Sequence, residues 1–221
     1  MQREIQLTAD GSHTISVPEM NVTYHSTHGA IQESMHVFIE AGLIPLLSKE
    51  DTGTVKILEI GFGTGLNALL SWQTAIEYNI PVNYTAIELY PLSPAEAEVL
   101  NYGKLRSMPE AFMALHACAW EEEKQLDDLF SIKKIHASLL DLTLTETFNC
   151  IYFDTFSPLD QPELWTQTVF EQLYKLLLPG GTLLTYCSKS VVRQAMKAAG
   201  FTVEKIPGPR GKREMVRAGK N

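Results

Sequence analysis

A glycine-rich turn between an apolar strand and a helix constrains this chain more than any other stretch. The segment reads K-I-L-E-I-G-F-G-T-G-L-N and runs from Lys56 to Asn67. Apolar residues recur every three or four positions after it, as they do on one face of a helix. A strand, a glycine turn and a helix in this order open a nucleotide-binding sheet, because glycines let the backbone approach a ligand at the helix N-terminus.

The spacing of the glycines indicates the ligand. A dinucleotide fingerprint reads G-x-G-x-x-G. Here Gly61, Gly63 and Gly65 give G-x-G-x-G, and Glu59 stands two positions before the first glycine. This spacing resembles motif I of class I S-adenosylmethionine (SAM) methyltransferases, whose ligand has no phosphate. A tight structural turn without a ligand stays open as the alternative.

Alternating strand and helix patterns predict an α/β fold with a doubly wound parallel sheet. Strands are expected at 55–60, 83–89, 136–140, 149–153 and 182–186. Helices are expected at 66–78, from 93, at 108–130 with an acidic solvated face at 121–123, at 163–178 and up to 200. The last strands, 201–206 and 214–217, are too close for a helical crossover and must form an antiparallel hairpin. This is the class I SAM-methyltransferase (Rossmann-like) architecture, with a mostly parallel sheet.

The N-terminal region is expected to extend this core. Strands at 5–9 and 14–17 flank Asp10-Gly11, a strong hairpin dipeptide. The 221 residues suit one domain, with a hairpin, lid and helix extension at 1–45 and a SAM-binding core at 46–221. No apolar run is long enough to span a membrane, no signal peptide is expected, and three widely spaced cysteines favour the reducing cytoplasm.

Four acids are expected at the carboxyl ends of strands, where open α/β sheets bind ligands. They are Glu59, Glu88, Asp141 and Asp154. Glu88 is placed to accept hydrogen bonds from a ribose, and Asp141 to meet an adenine amino group. Each of them could instead be an ordinary turn or cap residue.

The loop that begins Asp154-Thr155-Phe156-Ser157-Pro158 resembles the D/N-P-P-Y loop of amino-methyltransferases. Methyl transfer needs a neutral nitrogen whose lone pair is aligned with the S–CH₃ bond. An alkylamine of pKa about 10.4 is mostly protonated at pH 7. Asp154 could orient the amine and take its proton, or could be only a turn residue.

The charge of the chain is unevenly distributed. The net charge is −8, yet residues 189–221 hold nine of the 18 lysines and arginines and only two acids, a net charge of +7. They include the loop P-G-P-R-G-K-R at 207–213. Such asymmetry is typical of a local phosphate-contacting patch on an acidic protein. The alternative is an ordinary solvated surface that binds no partner.

Three segments, 59–67, 154–165 and 200–215, resemble the MnmD-type methyltransferases, which also form the N-terminal half of bifunctional MnmC. That family methylates the aminomethyl group on the wobble uridine of certain tRNAs and gives 5-methylaminomethyl(-2-thio)uridine. The resemblance runs from about residue 24 to the end. It is specific because the P-E-L-W and K-R-E-M segments are not general methyltransferase features.

The resemblance implies roles for individual residues. Asp154 would be catalytic, and the residues Tyr24, Ser26 and Glu33 would belong to a loop that closes over the cofactor. SAM, with S-adenosylhomocysteine as product, would be bound by Tyr24, Ser26, Glu33, Glu59, Gly61, Phe62, Gly63, Thr64, Asn67, Glu88 and Asp141. The anticodon stem-loop of tRNA would be bound by Phe156, Arg210, Lys212, Arg213 and Arg217.

Two departures from the family pattern matter. Bifunctional relatives read D-G-F-A-P-x-K-N-P after the aspartate, whereas Thr155 replaces the glycine here and Asp160 replaces the lysine. No second glycine fingerprint for a flavin domain follows, so a stand-alone methyltransferase is expected and a separate enzyme must supply the aminomethyl uridine.

Other functions stay open at this stage. A class I transferase that acts on a small free amine, such as an aminopropyltransferase, shares the fold but has no use for a basic tail. An NAD-dependent oxidoreductase and a non-catalytic SAM- or tRNA-binding module are further alternatives. His25, His28, Glu33 and His36 lack convincing metal-ligand spacing, so no metal is expected. No membrane partner is expected either.

Overall fold

The computed structural model describes residues 2–49 and 52–221 and contains a mixed sheet of eight strands. Its strands are β4 Val55–Ile60, β5 Val82–Glu88, β6 Glu123–Asp127, β7 Phe130–His136, β8 Phe148–Phe153, β9 Leu177–Thr185, β10 Thr202–Pro207 and β11 Glu214–Gly219. The order is β10-β11-β9-β8-β4-β5-β7-β6. The five strands from β9 to β7 run parallel, and β6, β10 and β11 pair antiparallel. The predicted mostly parallel sheet with a terminal antiparallel hairpin is confirmed.

Helices cover both faces of this sheet. They are α1 Ala30–Ser34, α2 Ile44–Leu47, α3 Leu66–Tyr78, α4 Pro94–Glu98, α5 Tyr102–Leu105, α6 Pro109–Ala117, α7 Gln167–Leu176 and α8 Ser190–Ala198. A π-helix, Met35–Leu43, joins α1 to α2. Short 3-10 turns lie at Pro18–Met20, Leu139–Asp141 and Pro162–Trp165. Among the residues described, no helix is both long and apolar enough to cross a bilayer.

Two hydrophobic clusters hold the layers together. Neighbouring residues of β4 point to opposite faces, so Ile57 joins the cluster that includes α3, and Leu58 joins the cluster that includes α7 and α8. Both side chains are fully buried. Burial on both faces explains why the central strands are mainly apolar.

A small antiparallel sheet lies at the N-terminus. It consists of β1 Glu4–Leu7, β2 His13–Val17 and β3 Val22–Thr23. The predicted hairpin is therefore present, and β3 is an unpredicted third strand. Met1, Glu50 and Asp51, which the expected extension and core include, lie outside the described residues.

The prediction of a helix over 108–130 is wrong in its second half. The helix ends at Ala117, and β6 and β7 follow as an antiparallel pair. The polar residues Ser131 and Lys134 conceal β7 in the sequence, although both are buried. Lys134 Nζ donates to His116 O at 3.0 Å and lies 4.8 Å from the ring of Trp120. The acids at 121–123 are exposed but not helical.

Two other boundaries also differ. The strand predicted at 136–140 is wrong because β7 ends at His136 and a 3-10 turn occupies 139–141. The helix predicted at 163–178 is divided into the 3-10 turn at 162–165 and α7, and its last two residues begin β9. Thr166 caps α7 by accepting a hydrogen bond from Val169 N, which sets where the helix begins.

Candidate active site

A cavity of about 450 Å³ opens at the carboxyl ends of β4, β5 and β8. It brings together residues that are distant in sequence. The predicted site residues that line it are Tyr24, Ser26, Glu33, Gly61, Phe62, Gly63, Thr64, Asn67, Glu88, Asp154, Phe156 and Lys212. This is the position at which open α/β sheets bind their ligands.

Five predicted site residues are not among those that line the cavity. Glu59 is fully buried beneath it, and Asp141 is exposed. Because β7 ends earlier than expected, Ala137, Ser138, Leu139 and Leu140 form that part of the wall instead. The three remaining residues are Arg210, Arg213 and Arg217.

The glycine turn needs its glycines. Gly61, Gly63 and Gly65 have φ angles of 92°, 51° and 72°, which L side chains rarely adopt. A Cβ on Gly61 would lie 2.5 Å from the backbone oxygen of Asp154. The turn therefore lets the loop after β8 approach β4 closely, which places the Asp154 side chain beside the turn.

Glu88 holds this turn from the end of β5. Its Oε2 accepts a hydrogen bond from Gly63 N at 2.8 Å, and its Oε1 accepts one from Tyr90 N at 2.8 Å. Each carboxylate oxygen has a second lone pair. Glu88 can therefore fix the turn and still accept hydrogen bonds from a ligand.

Asn67, at the start of α3, bridges two carboxyl groups. Its Nδ2 donates to Glu59 Oε1 at 2.8 Å and to Asp154 Oδ2 at 2.9 Å. Burial raises the pKa of Glu59 well above its usual value. Burial, followed by the charge of Glu33, raises the pKa of Asp154 to about 7. Asp154 can therefore gain or lose a proton near neutral pH.

Lys212 reaches the cavity from the loop between β10 and β11. Its Nζ lies 2.7 Å from Glu33 Oε1 and 4.0 Å from the centre of the Tyr186 ring. Tyr186 in turn donates its hydroxyl hydrogen to Thr155 O at 2.8 Å. The structure thus places Lys212 in the cavity wall, although the sequence suggested an open basic patch.

Several supporting residues were not predicted. His25 Nε2 and Thr64 Oγ1 share a hydrogen bond of 2.8 Å, and burial lowers the pKa of His25 to about 4. Trp165 Nε1 donates to Phe156 O at 2.9 Å and so fixes the loop after Asp154. The P-E-L-W segment was the sequence signal for Trp165. The sequence gives no such signal for His25, which it groups only with the poorly spaced metal-ligand candidates.

The basic residues outside the cavity fall into two groups. Arg217 pairs with Glu204 at 2.8 Å, so its charge is compensated. Arg210 and Arg213 are exposed. Within 2–49 and 52–221, no cluster of three His, Cys, Asp or Glu residues is placed to hold a metal ion.

The charge of the cavity indicates its ligands. Five carboxyl groups line it, and Lys212 is its one lysine or arginine among the residues described. The acids are Glu33, Glu88, Asp154, Asp160 and Glu163. Such a lining favours cations and disfavours the pyrophosphate of a dinucleotide.

Residues 96–221 match the protein family described as S-adenosyl-L-methionine-dependent methyltransferase. The match covers more than half of the chain. The chain belongs to this methyltransferase family. SAM as the cofactor and methyl transfer as the enzyme class are thereby confirmed. Membership of this family argues against the two alternatives of an NAD-dependent oxidoreductase and a non-catalytic binding module.

Individual relatives extend the comparison. The methyltransferase is 29% identical over 210 residues to the tRNA 5-methylaminomethyl-2-thiouridine biosynthesis bifunctional protein MnmC of Ectopseudomonas mendocina (strain ymp). The match covers 87% of the methyltransferase and 31% of that protein. The methyltransferase therefore spans about a third of the length of the curated relatives it matches.

Two solved structures are similar. MnmC2 from Aquifex aeolicus has a TM-score of 0.83 and 25% identity, with 100% of the methyltransferase and 70% of that chain covered. Spermidine synthase from Thermotoga maritima has a TM-score of 0.61 over 99% of the methyltransferase and 69% of that chain, at 15% identity, and shows the fold alone. The predicted resemblance to MnmC-related methyltransferases is confirmed.

The site residues suit SAM, which carries a sulfonium and an ammonium group. The acidic lining is complementary to both cations. Asn67 Oδ1 is buried and has no hydrogen-bond partner among the described residues, so one acceptor beside the cavity is left for a ligand. The glycine turn supplies the close backbone approach.

Proposed function

We propose that the methyltransferase converts the 5-aminomethyl group of wobble (2-thio)uridine in tRNA to 5-methylaminomethyl. The observation that carries this proposal is the half-buried Asp154, which faces an acidic cavity beside the glycine turn. An acidic cavity suits an amine that arrives as an ammonium ion. The proposal that tRNA carries this amine rests on the relatives named MnmC.

The cofactor is proposed to span the carboxyl ends of β4 and β5. Glu88 would accept hydrogen bonds from the ribose, and the backbone of 138–140 would replace Asp141 beside the adenine. Glu33 Oε2 accepts a hydrogen bond from Ser26 N at 2.7 Å. This bond supports a lid formed by the segment from Tyr24 to Ser26. Tyr24 packs edge-on against Phe156 with ring centres 5.2 Å apart, so this lid adjoins the loop after Asp154.

SAM, when bound, supplies an electrophilic methyl group on a sulfonium. The substrate ammonium ion gives one proton to the Asp154 carboxylate and becomes a neutral amine. The nitrogen lone pair would then accept the methyl group of SAM, so the product would be a methylammonium ion and the sulfonium would become a neutral thioether. Asp154 passes its proton to water, so each turnover releases one proton.

The pKa of Asp154 suits this role. A carboxyl group with a pKa of about 7 is a better proton acceptor than an ordinary aspartate, and about half of it is ionised at pH 7. Asn67 donates to Asp154 Oδ2 and so holds the carboxyl group in position. The other oxygen of Asp154 is then available to the amine.

The substrate base is proposed to lie against Phe156, which lines the cavity in the loop after Asp154. The anticodon stem-loop would contact the exposed Arg210 and Arg213. Lys212 and Arg217 are less suited to phosphate binding because each is paired with a glutamate. We further propose that the chain acts as one domain in the cytoplasm, on tRNA that a separate enzyme has aminomethylated.

Transfer of labelled methyl groups tests the choice of substrate. The protein is incubated with labelled SAM and either tRNA that carries 5-aminomethyluridine or free polyamines. Incorporation into tRNA alone supports the proposal. Incorporation into the polyamines alone would favour a small-amine transferase. The only support for that alternative given above is the fold shared with spermidine synthase.

A further inference from the structure

A second depression of about 320 Å³ adjoins the active-site cavity. It shares Ser157, Tyr186 and Lys212 with that cavity and is otherwise walled by residues 187–189 and 213–214. The two spaces therefore have a common wall, which includes the loop that follows Asp154. Groups bound in the two spaces would therefore lie on either side of the shared wall formed by Ser157, Tyr186 and Lys212.

The two spaces differ in charge. Two of the charged residues around the second one are already compensated, because Lys212 pairs with Glu33 at 2.7 Å and Glu214 with Lys205 at 2.9 Å. The ion pairs found in residues 2–49 and 52–221 include neither Lys189 nor Arg213. These two exposed cations make the second depression positive beside an acidic cavity.

The backbone adds to this polarity. Lys189 is the N-cap residue of α8, a nine-residue helix whose N-terminus has no side-chain cap. A helix N-terminus has a partial positive charge and unpaired N–H groups. Arg193 Nε donates to Ser188 O at 3.1 Å, which ties the segment before α8 to its first turn.

We propose that this depression binds a backbone phosphate of the RNA next to the nucleotide whose base enters the active-site cavity. Lys189 and Arg213 are its phosphate ligands. The inference rests on the proposed function, because it assumes an RNA substrate. It assigns opposite charges of the substrate to adjoining sites, the aminomethyl cation to the acidic cavity and the phosphate to Lys189 and Arg213.

The test uses the double variant Lys189→Gln, Arg213→Gln in the full chain. Its matched control is Lys197→Gln, because Lys197 is exposed near the other end of α8. Methyl transfer to tRNA is measured at several salt concentrations. Each single-stranded phosphate that loses its cationic ligands should reduce the slope of log affinity against log salt by about 0.7.

The double variant should raise the KM for tRNA at least tenfold and reduce the salt slope by about 0.7, the contribution of one phosphate, while Lys197→Gln changes neither. The affinity for SAM, measured by calorimetry, should match that of the control. A second arm compares 5-aminomethyluridine with its 5′- and 3′-phosphates. The wild type should prefer one phosphorylated form, and the double variant should lose that preference.

The outcomes separate the two proposals. If the wild type methylates tRNA and the double variant matches Lys197→Gln in KM and salt slope, the phosphate site is refuted and the proposed function stands. If the wild type methylates no RNA substrate, the proposed function is refuted and this inference with it.

Discussion

The ammonium group of Lys212 lies 2.7 Å from Oε1 of Glu33, although 179 positions separate the two residues. The second oxygen of Glu33 accepts a hydrogen bond from Ser26 N at 2.7 Å. One carboxylate therefore joins the loop between β10 and β11 to the proposed lid. His28 and Gly211 make a further close approach, because a Cβ on Gly211 would clash with the ring of His28.

Loss of this bridge should loosen the lid and weaken SAM binding. We expect Lys212→Gln and Glu33→Gln to raise the Kd for SAM by roughly 3- to 30-fold, since a hydrogen bond to a charged group contributes about 1.5–3 kcal/mol before solvent screening of the half-buried lysine. Calorimetry measures the effect. The control is Lys205→Gln, whose ion pair with Glu214 lies outside the active-site cavity. Equal affinities in all three variants would argue against a lid held by Glu33.

Replacement of Glu88 should weaken SAM binding more strongly. Glu88→Ala removes the acceptors of Gly63 N and Tyr90 N as well as the proposed ribose contacts. We expect the Kd for SAM to rise by about 10- to 100-fold, while NAD does not bind the wild type. Asp141→Ala should leave the affinity for SAM unchanged, since Asp141 is exposed outside the cavity. A loss in Asp141→Ala as large as that in Glu88→Ala would instead support the adenine contact expected from the sequence.

Asp154→Asn should separate catalysis from binding. The amide keeps the shape of the side chain and can still accept the hydrogen bond from Asn67, but it cannot take a proton from the amine. We expect kcat with saturating tRNA to fall by roughly 100- to 10,000-fold, with the Kd for SAM changed by less than about threefold. Single-turnover kinetics measures the chemical step. Turnover close to that of the wild type would mean that Asp154 is only a turn residue.

The same substitution should stabilise the fold at neutral pH and above. The folded state raises the pKa of Asp154 from 3.8 to about 7, so folded protein binds more protons than unfolded protein between these values. Stability therefore falls as the pH rises from about 4 to about 7. We expect Asp154→Asn to be about 1–3 kcal/mol more stable than the wild type at pH 8 and nearly equal to it near pH 4, because each unit of pKa shift corresponds to about 1.4 kcal/mol before screening.

Denaturant unfolding without SAM, at both pH values, measures this difference. Asp128→Asn is the control, since Asp128 is an exposed carboxylate between β6 and β7 and should show no such pH-dependent gain. A gain of equal size in both variants at pH 8 would show that the effect reflects net charge and not the burial of Asp154.

Short-range patterns predicted much of the fold and site. The glycine turn, Glu88 and Asp154 are each found at the end of a largely apolar strand. The local sequence pattern therefore places all three at one edge of the sheet. The prediction failed at β6 and β7, which combine exposed charged residues with the buried polar residues Ser131 and Lys134. The exposed acids at 121–123 made the segment before β7 look like the solvated face of a helix, and the strand misplaced at 136–140 then put Asp141 in the site.

Long-range contacts could not be predicted in this way. The sequence shows a basic loop at 207–213 but not that Lys212 turns inward to Glu33 and Tyr186. It also treats Arg217 and Arg213 alike, whereas Glu204 pairs with Arg217 only in the folded hairpin. Such pairings depend on the register of β10 and β11 and on the packing of the N-terminal segment, which no local pattern encodes.

Mass analysis of the nucleosides of tRNA, after incubation with the protein and isotope-labelled SAM, tests the central claim most directly. The tRNA carries 5-aminomethyl-2-thiouridine or 5-aminomethyluridine at the wobble position, and Asp154→Asn is the matched control. We expect the labelled methyl group on the exocyclic nitrogen of the wobble uridine, and far less label with the variant. A labelled methyl group on a ring atom, on a ribose or on another nucleoside, or no label in tRNA from protein that binds SAM, would contradict the account.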